Sequence, residues 1–388
     1  MEKVAIIVGG ESVEHEVSIV TGLQIYDNID KTKYDPIIIY ITKEGKWLSG
    51  KSLEDIETYK KKDFKDTVER IPWKSNIKNK LSLISRQEKK GIFSKKDDDI
   101  TVDIVIPATH GTGVEDGTLQ GILENIGVPY AFSDVKASAL GMDKVIMKKV
   151  FKDEKLPLVE YMWFFKSDFL KNKEEVLKEA EEIGYPLIVK PSNLGSSIGI
   201  TKATNTEELT ESIKVASAYD KKIIIEKCLE NAREINCGVL GFERDVKVSE
   251  CEEPVGWKEF LTYEDKYVNN SKNKDDSKRV IPADIPADMT ERIKDIAKKS
   301  FISINGSGAA RVDFLISNNE IFINEINTIP GSVSFYLWEP SGVKFKELIE
   351  ELIEIAKKKA DNSLIRTYDI DLLNKMASGK GTKRRTEN

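Results

Sequence analysis

The sequence predicts an α/β protein with two or three domains. The chain has 388 residues, which is longer than one ordinary hydrophobic core supports. Its composition is that of a globular protein, with 40% hydrophobic and 32% charged residues and with glycine and proline spread along the chain. Its first 130 residues alternate short apolar runs with helical stretches, which is typical of a parallel sheet covered by helices.

The first segment supplies the strands and helices of this α/β pattern. VAIIVGG, PIIIYI and DIVIPATH are apolar runs that predict strands, and GTLQGILENIG has the periodicity of a helix. Between Thr42 and Thr101 the periodicity weakens in a lysine-rich insertion. We interpret this insertion as a hairpin at KEGKW followed by a surface helix, ending in the acidic run from Asp97 to Asp99. No chemistry is predicted there.

A different pattern begins at Met142, where helices alternate with strands in a shorter unit. Its strands PLVEYMWF, PLIVKPS, IGITKA and KIIIEKCL predict a compact α+β unit with an antiparallel sheet. Residues 234–360 add the strands EINCGVLGF, AARVDFLIS and EIFINEI. The same segment contains a polar loop at about 254–280 and predicted helices near 287–304 and 344–358.

Charge and cysteine content exclude several classes of function. Sixty basic residues against 66 acidic ones leave a net charge of −6, so no basic field exists to hold a nucleic-acid backbone. Cys228, Cys237 and Cys251 are odd in number and lack the spacing of a zinc site, which disfavours disulfides and zinc and fits a reducing cytoplasm. The sequence shows neither an apolar leader nor a run of about 18 apolar residues, so we expect a cytoplasmic protein without a membrane anchor.

Two segments compete as the phosphate-binding site. GKWLSGKS, residues 45–52, formally matches a P-loop, but Trp47 and Leu48 are too bulky for a loop that wraps backbone N–H groups around phosphate. A hairpin turn and a surface loop are the preferred interpretation there. PLIVKPSNLGSSIGI instead places Lys190 at the end of a buried strand, before a loop rich in glycine and serine. That loop could close over a triphosphate while Lys190 neutralises its charge, and the alternative is an ordinary surface hairpin.

Carboxylate and amide side chains cluster near the C-terminal end of the chain. Glu325 and Asn327 in NEIN project to one face of a predicted strand, and Asp313 lies in the strand RVDF. These oxygen donors suit Mg²⁺, which usually bridges protein carboxylates to substrate phosphates, and two ions could share Glu325. Arg311 lies on the same strand face as Asp313, where it could stabilise an oxyanion or simply pair with a carboxylate. The backbone N–H of Gly331 could stabilise the same oxyanion.

Further candidates for substrate contacts lie in the first and central segments. His15 and His110 are the two histidines of the chain, and each follows a strand of the first segment, where open α/β sheets present ligand sites. Glu14 offers a carboxylate that could hold a substrate ammonium. The strand IIIEKCL ends at residues 226–229, which could serve as a backbone hinge for adenine. Each of these groups has an ordinary structural interpretation as its alternative.

Eight segments, in this order along the chain, resemble those of D-alanine–D-alanine ligases of the ATP-grasp superfamily. They are GGESVEHEVS, HGTGVEDGTLQG, SALGMDK, VKPSNLGSSIGI, EKCL, YEDKY, RVDF and NEINTIPGS. Each motif is weak alone, but eight in order are specific, and they cover about residues 4–355.

The resemblance implies a three-domain α/β ATP-grasp fold that clasps ATP between its central and C-terminal parts. The implied division is an N-terminal α/β substrate-binding domain at 1–135, a central subdomain at 136–233, a C-terminal subdomain with the metal site and a lid loop at 234–360, and a flexible tail at 361–388. The implied cofactors are ATP and two Mg²⁺, with Mn²⁺ as an alternative. The implied partners are small amino acids and a second copy of the chain in a homodimer, and not nucleic acid or a membrane.

The resemblance also implies a role for each matching residue. The residues that would hold ATP are Lys144, Lys190, Ser197, Glu226, Lys227, Leu229, Glu234 and Lys266. The residues that would bind Mg²⁺ are Asp313, Glu325 and Asn327. The residues that would form a hydrogen-bonded trio around the first amino acid are Glu14, Ser196 and Tyr267. The residues that would lie near the reacting carboxylate are His110, Arg311 and Gly331.

The implied reaction is the ATP-dependent ligation of two D-alanines, as needed for peptidoglycan precursors. The first carboxylate would attack the γ-phosphate to give an acyl phosphate and ADP, and the second amine would attack the acyl carbonyl. Lys190, Lys266 and Mg²⁺ would spread the charge of phosphoryl transfer. The loop at 254–280 would close as a lid that excludes water.

One position departs from the family's pattern. Where the family carries a Ser-Leu or Ser-Met pair for the second substrate's carboxylate, this chain has Tyr336 and Leu337. Tyr336 could donate to that carboxylate, or Ser332 or Ser334 could replace it, so D-serine, D-lactate or another amine stays open as the acceptor. A nucleotide-binding regulatory protein and, more remotely, a P-loop NTPase are the alternatives from other classes.

Overall fold

The structure is a computed structural model that describes residues 1–85, 99–255 and 278–363. Three β-sheets follow one another along these residues, and helices pack against them. The expected tail beyond residue 363 and most of the expected lid loop, including Lys266 and Tyr267, lie outside the described residues. The helices, numbered along the chain, are α1 (His15–Asn28), α2 (Ile56–Lys61), α3 (Thr118–Ile126), α4 (Val135–Met142), α5 (Lys144–Asp153), α6 (Lys166–Lys171), α7 (Lys173–Ile183), α8 (Thr206–Ser217), α9 (Ala287–Ser303), α10 (Phe335–Trp338) and α11 (Phe345–Ser363).

The first sheet is a mixed sheet. Its strands are β1 (Glu2–Gly9), β2 (Tyr34–Ile41), β3 (Trp47–Ser49), β4 (Val68–Lys74), β5 (Leu81–Ser85), β6 (Ile100–Val102) and β7 (Ile104–Pro107). Their spatial order is β6-β5-β4-β3-β2-β1-β7. β1 pairs in parallel with β2 and β7, whereas the pairs from β2 to β6 are antiparallel. Only one residue separates β6 from β7, so the sheet curls until its two ends are close.

The insertion between Thr42 and Thr101 is part of this sheet. The predicted hairpin at KEGKW is confirmed, because β2 and β3 pair antiparallel around it, and the predicted surface helix is α2, which buries no side chain. The strands β4, β5 and β6 are not predicted from the sequence, and their antiparallel pairing makes the expected parallel sheet a mixed one. Leu81 and Leu83 are fully buried and alternate with polar residues, but this two-residue period is too short to stand out in a lysine-rich segment.

The second sheet confirms the predicted antiparallel unit in the centre of the chain. Its strands are β8 (Tyr161–Phe165), β9 (Leu187–Pro191), β10 (Thr201–Ala203) and β11 (Lys222–Lys227). They lie in the order β10-β9-β11-β8, and every neighbouring pair is antiparallel. Apolar side chains of α7 and α8 cover one face of this sheet, among them Val176, Leu209 and Ile213. This packing leaves the end of β9 and the loop after it at the edge of the unit.

The third sheet is antiparallel and carries the predicted carboxylates. Its strands are β12 (Arg233–Phe242), β13 (Asp245–Val255), β14 (Lys278–Val280), β15 (Ser307–Ser317) and β16 (Glu320–Asn327). They lie in the order β14-β13-β12-β15-β16. One face packs against α9 and α5 through side chains such as Ile293, Phe301 and Phe151.

A shared hydrophobic cluster joins the first and third sheets. The helix α11 contributes Leu348 and Leu352, which belong to one buried cluster with Ile6 of β1 and Leu240 of β12. On the other face of the first sheet, α3 contributes Leu119 and other buried residues to a separate cluster. Because α11 packs between the two sheets, the ends of β1 and β7 face the ends of β15 and β16 across a cavity.

Candidate active site

A cavity of about 620 Å³ lies where the three sheets meet. The predicted site residues that line it are Glu14, His110, Lys144, Ser196, Glu234, Arg311, Glu325, Asn327, Gly331, Ser332 and Tyr336. The predicted site residues that are described but do not line it are Lys190, Ser197, Glu226, Lys227, Leu229, Asp313 and Ser334. Residues that the sequence separates by more than 300 positions, such as Glu14 and Tyr336, therefore share one cavity.

The predicted metal ligands lie on neighbouring strands. Asp313 on β15 is opposite Glu325 on β16, and Arg311 is opposite Asn327 in the same register. The guanidinium of Arg311 donates to both Asp313 carboxylate oxygens, at 2.6 and 2.7 Å, and Asn327 Nδ2 donates to Asp313 Oδ2 at 3.1 Å. Two carboxylates and an amide form a hard-oxygen donor set that fits Mg²⁺ bound together with substrate phosphates. In the described ranges no group of three or more His, Cys, Asp or Glu side chains is arranged to hold a metal by itself.

Lys144 places a buried cation beside these carboxylates. The helix α5 begins at Lys144 because Asp143 Oδ1 accepts from two backbone N–H groups of the first turn. Lys144 Nζ lies 3.1 Å from Glu325 Oε2 and donates to Leu194 O at 2.9 Å. Burial works to lower the pKa of Lys144, but attraction to Glu325 outweighs it and the pKa is raised. The Lys144 side chain thus stays charged where a phosphate could approach.

Two further lysines, Lys148 and Lys190, contact Glu226. Lys190 Nζ at the end of β9 donates to Glu226 Oε2 at 2.7 Å and to Asn324 Oδ1 at 3.0 Å. Lys148, which is fully buried one helical turn after Lys144, lies 3.2 Å from Glu226 Oε1. Burial works to raise the pKa of Glu226, but the two lysines lower it to about 2. Because the Glu226 carboxylate is engaged on both oxygens, an adenine contact at this residue falls to its backbone.

The other predicted ATP residues follow at the end of β11 and the start of β12. Lys227 Nζ donates to Gly184 O at 2.8 Å and to Tyr185 O at 3.0 Å, so its side chain ties β11 to the turn before β9. Leu229 is half-buried just after β11, and Glu234 lines the cavity from β12. Of the four predicted residues from Glu226 to Glu234, Glu234 alone lines the cavity, and the segment stays a candidate hinge.

The loop after β9 brings Ser196 to Glu14. Ser196 and Ser197 both have positive φ, at 53° and 56°, and the Ser196 hydroxyl donates to Glu14 Oε1. A Cβ at Gly195 would lie 2.7 Å from Glu14 Oε2, so glycine is required for this approach. The structure thus brings together two members of the predicted trio, and the third, Tyr267, lies outside the described residues.

His110 and Glu115 hold the backbone that leads to Gly331. His110 Nδ1 donates to Ile329 O at 2.9 Å, and His110 Nε2 accepts from Thr21 Oγ1 at 2.9 Å. Glu115 accepts from Ile329 N–H at 3.1 Å and from a loop N–H of its own segment at 3.0 Å. Burial lowers the pKa of His110 to about 4, so its imidazole is neutral near pH 7. Both ring nitrogens are engaged, which makes His110 a positioning group in this arrangement.

Two other candidates are structural. His15 is buried, with Nδ1 2.6 Å from Gly10 O and Nε2 3.0 Å from the Tyr40 hydroxyl. Lys51 of the P-loop-like segment is exposed, and its Nζ pairs with Glu54 at 2.8 Å in a short 3₁₀ turn. The interpretation of that segment as a hairpin and surface turn is confirmed.

Several residues that line or support the cavity are not predicted from the sequence. Glu252, Arg279 and Thr21 line it, and Glu115 and Lys148 hold predicted site residues in place. Lys148 carried a signal, because it lies four residues after Lys144 and so on the same helix face. Glu115 lies within the quoted motif HGTGVEDGTLQG. Glu252 lies just before the expected lid and Arg279 lies at its end, and neither belongs to one of the quoted motifs.

Two family models match the chain. The model described as D-ala D-ala ligase N-terminus matches residues 3–133, and the one described as D-ala D-ala ligase C-terminus matches residues 150–354. The D-alanine--D-alanine ligase of Thermosipho africanus is 41% identical over 376 residues, which cover 96% of this chain and 97% of that relative. The D-alanine--D-alanine ligase of Caldicellulosiruptor bescii is 41% identical over 369 residues, which cover 92% and 95%.

Two solved structures of ligases are similar to this chain in fold. The D-alanine-D-alanine ligase from Coxiella burnetii has a TM-score of 0.77 and 26% identity, covering 98% of this chain and 100% of that one. The VanG D-Ala:D-Ser ligase from Enterococcus faecalis has a TM-score of 0.76 and 30% identity, covering 92% of this chain and 99% of that one.

Proposed function

This chain belongs to the D-alanine–D-alanine ligase family and has its ATP-grasp fold, and we propose that it joins two D-alanines into D-alanyl-D-alanine while ATP is converted to ADP. The observation that carries the proposal is that Glu14, Ser196, Lys144 and Glu325 line one cavity, with Asp313 opposite Glu325 on the neighbouring strand. These groups provide a carboxylate that can accept an ammonium, a lysine cation that can contact phosphate, and oxygens that can bind a metal, all within reach of one another.

The first half of the reaction is assigned to the groups around Glu14. The Glu14 carboxylate accepts the ammonium of the first D-alanine, and Ser196 orients that carboxylate through its hydrogen bond. The substrate carboxylate oxygen attacks the γ-phosphorus of ATP, so that an acyl phosphate forms and ADP leaves. Lys144 and Lys190 offset the negative charge of the phosphates, and Lys266 is assigned the same role from the lid segment.

Asp313, Glu325 and Asn327 are assigned to two Mg²⁺ ions, with Mn²⁺ as a substitute. When bound, these ions supply neutralisation of the charge that develops during phosphoryl transfer. Support comes from the donor set, because Asp313 and Glu325 are opposite each other in register. The charged Lys144 lies beside Glu325, at the end of the cavity where the phosphates are expected. Asp313 also orients Arg311 through a two-point ion pair.

The second half of the reaction is assigned to Arg311 and the loop at Gly331. The amine of the second substrate attacks the acyl carbonyl, phosphate leaves with its bonding electrons, and the nitrogen loses a proton. The Arg311 guanidinium and the Gly331 N–H stabilise the oxyanion of the tetrahedral intermediate. His110 and Glu115 contribute by holding Ile329, two residues before Gly331.

The proposal extends to the organisation and location of the protein. We propose the division into residues 1–135, 136–233, 234–360 and a tail at 361–388, and the three successive sheets support its first three parts. Free thiols at all three cysteines agree with a cytoplasmic enzyme of peptidoglycan precursor synthesis, and a homodimer is proposed from the family. Over the described residues, every helix is too short or too polar to cross a membrane.

A different acceptor is the second candidate, and Tyr336 favours it. Tyr336 lines the cavity where the family pattern has serine, and Ser332 lines it too, whereas Ser334 is buried away from it with no hydrogen-bond partner for Oγ among the described residues. A changed acceptor pocket could admit D-serine, D-lactate or another amine in place of D-alanine.

Product identification tests both candidates. The purified protein is incubated with ATP, Mg²⁺ and an equimolar panel of D-alanine, D-serine and D-lactate, and products are identified by mass spectrometry. We expect D-alanyl-D-alanine as the main product and no ADP formation by the Asp313→Asn variant. A main product with another acceptor would replace the first candidate by the second. Absence of any ligated product with all substrates would contradict both.

A further inference from the structure

An arginine, a glutamate and a tyrosine form one wall of the cavity at β13 and β14. Arg279 Nη1 lies 3.1 Å from Glu252 Oε1, and the guanidinium carbon of Arg279 lies 3.9 Å from the centre of the Tyr336 ring. Arg279 keeps 36% of its side chain exposed, whereas Glu252 keeps 2%. The ring and the carboxylate therefore fix one side of the guanidinium and leave the other side open to the cavity.

Glu252 is a buried carboxyl group whose Oε2 lies outside the ion pair with Arg279. Its Oε2 has no hydrogen-bond partner in the part of the chain that the structure describes, and the same holds for Oδ1 of Asn236, its register partner on β12. Both side chains line the cavity. Buried acceptor oxygens are nearly always paired with a donor, because an unpaired one costs free energy. Two such oxygens on one wall indicate a ligand that brings N–H donors.

The wall lies next to the group assigned to the oxyanion. Asn236 on β12 is the register partner of Glu252 on β13 and of Asp313 on β15, and Arg311, Tyr336 and Glu252 line the same cavity. A ligand held on this wall would therefore share the cavity with Arg311 and Gly331, the groups assigned to the oxyanion.

Given the proposed function, we propose that this wall binds the second amino acid as a zwitterion, with its carboxylate on Arg279 and its ammonium on Glu252. The ammonium passes one proton to the Glu252 carboxylate, and the free amine then attacks the acyl carbonyl. An α-amino acid carries a negative and a positive group a few bonds apart, which complements a neighbouring arginine and glutamate. A guanidinium binds a carboxylate through two parallel hydrogen bonds, and the stacked Tyr336 ring holds it in place for that contact. Arg279 and Tyr336 then replace the Ser-Leu pair of the family pattern, and Glu252 selects an amine over a hydroxyl acceptor.

Separate assays of the two half-reactions test this inference. Hydroxylamine is a small neutral nucleophile that traps the acyl phosphate as D-alanyl hydroxamate without using an amino-acid acceptor site. Dipeptide formation requires that site. The variants Arg279→Gln and Glu252→Gln are compared with the wild type in both assays. Matched controls are Arg292→Gln on the exposed surface of α9 and Glu253→Gln, whose carboxylate pairs with Arg233 on the other side of β13.

We expect both test variants to form hydroxamate like the wild type. The D-alanine concentration for half-maximal dipeptide formation should rise about tenfold or more, which is typical for loss of one charged hydrogen-bond partner. Glu252→Gln should also raise the ratio of D-alanyl-D-lactate to D-alanyl-D-alanine, because D-lactate has no ammonium to lose. The controls should match the wild type in both assays.

Unchanged half-saturation for dipeptide formation in both variants would overturn the inference while leaving the proposed function intact. A wild type that forms neither hydroxamate nor dipeptide would overturn both. If Arg279→Gln does not fold, Arg279→Lys keeps the charge but loses the two-point geometry. It should still raise the half-saturating D-alanine concentration, and an unchanged value in this folded variant would equally overturn the inference.

Discussion

At the scale of single residues, the least expected group is the buried lysine at 148. Lys148 and Lys190 each approach one oxygen of Glu226, at 3.2 and 2.7 Å. Burial works to lower the pKa of Lys148, and Glu226 opposes that effect. The two lysines thus hold both oxygens of the Glu226 carboxylate behind the candidate phosphate site. Lys148 therefore positions Glu226, and through Glu226 it positions Lys190.

The variant Lys148→Met tests this chain of contacts. Methionine has a similar length but no charge, so Glu226 would keep a buried oxygen without its cation. We expect the free energy of unfolding to fall by about 1 to 3 kcal/mol, the usual cost of leaving a buried polar group unsatisfied. Urea unfolding measures this change. Nucleotide titration should show weaker ATP binding, because Glu226, the partner of Lys190, is no longer held on its other oxygen.

Lys152→Met is the matched control for Lys148→Met. Lys152 is exposed in the last turn of the same helix, so its replacement should change the free energy of unfolding by less than about 0.5 kcal/mol. Equal stability of the two variants would show that Lys148 does not support Glu226.

At the scale of elements, the segment from Thr328 to Ser332 decides whether the site is assembled. First-domain residues hold it at three points, because Glu115 and His110 bind both sides of the Ile329 backbone and Thr21 Oγ1 accepts from Ser332 N–H at 3.0 Å. Each of these contacts joins the first 120 residues to a loop near residue 330. The loop that presents the Gly331 N–H is thus held from outside its own sheet.

Glu115 gives this segment a dependence on pH. Burial, together with repulsion from Glu14, raises the pKa of Glu115 to about 8. The folded state therefore holds this proton more tightly than the unfolded chain does, so the contribution of Glu115 to stability is complete below about pH 4.5 and is lost as the pH rises through about 8. The Glu115→Gln variant does not titrate and should show a flatter decline of stability from about pH 5 to 8.

Thermal unfolding of the wild type and Glu115→Gln at several pH values measures this difference. Glu179→Gln on the exposed side of α7 controls for the loss of one carboxylate, and its curve should follow that of the wild type. Parallel curves for wild type and Glu115→Gln would contradict a proton held by Glu115 in the folded state.

The elements also show what the sequence could predict. Local patterns were sufficient for the antiparallel central sheet, for the hairpin at KEGKW and for the common strand face of Arg311 and Asp313, because each depends on neighbours in the chain. The strands β4 to β6 were missed because their apolar alternation is short and diluted by lysine. The wall of Glu252 and Arg279 was missed because strand pairing across the expected lid, and not any local motif, brings these residues together.

At the scale of the whole molecule, the cavity exists because the two ends of the chain pack together. The buried cluster joins Ile6 of β1 to Leu352 of α11 and Trp338 of α10, and periodicity alone does not reveal such distant partners. Closing this cluster sets the Glu14 segment opposite the strands of Asp313 and Glu325. The order of motifs predicted which residues share the site, whereas the packing shows how they come to share it.

Oxygen-isotope transfer tests the central claim most directly. D-Alanine labelled with ¹⁸O in its carboxylate is incubated with the protein, ATP and Mg²⁺, and the released phosphate and the dipeptide are analysed by mass spectrometry. Attack of the carboxylate on the γ-phosphorus and later displacement by the amine would carry one ¹⁸O atom from each donor molecule into inorganic phosphate, alongside D-alanyl-D-alanine and ADP. Dipeptide formed with unlabelled phosphate would contradict ligation through an acyl phosphate.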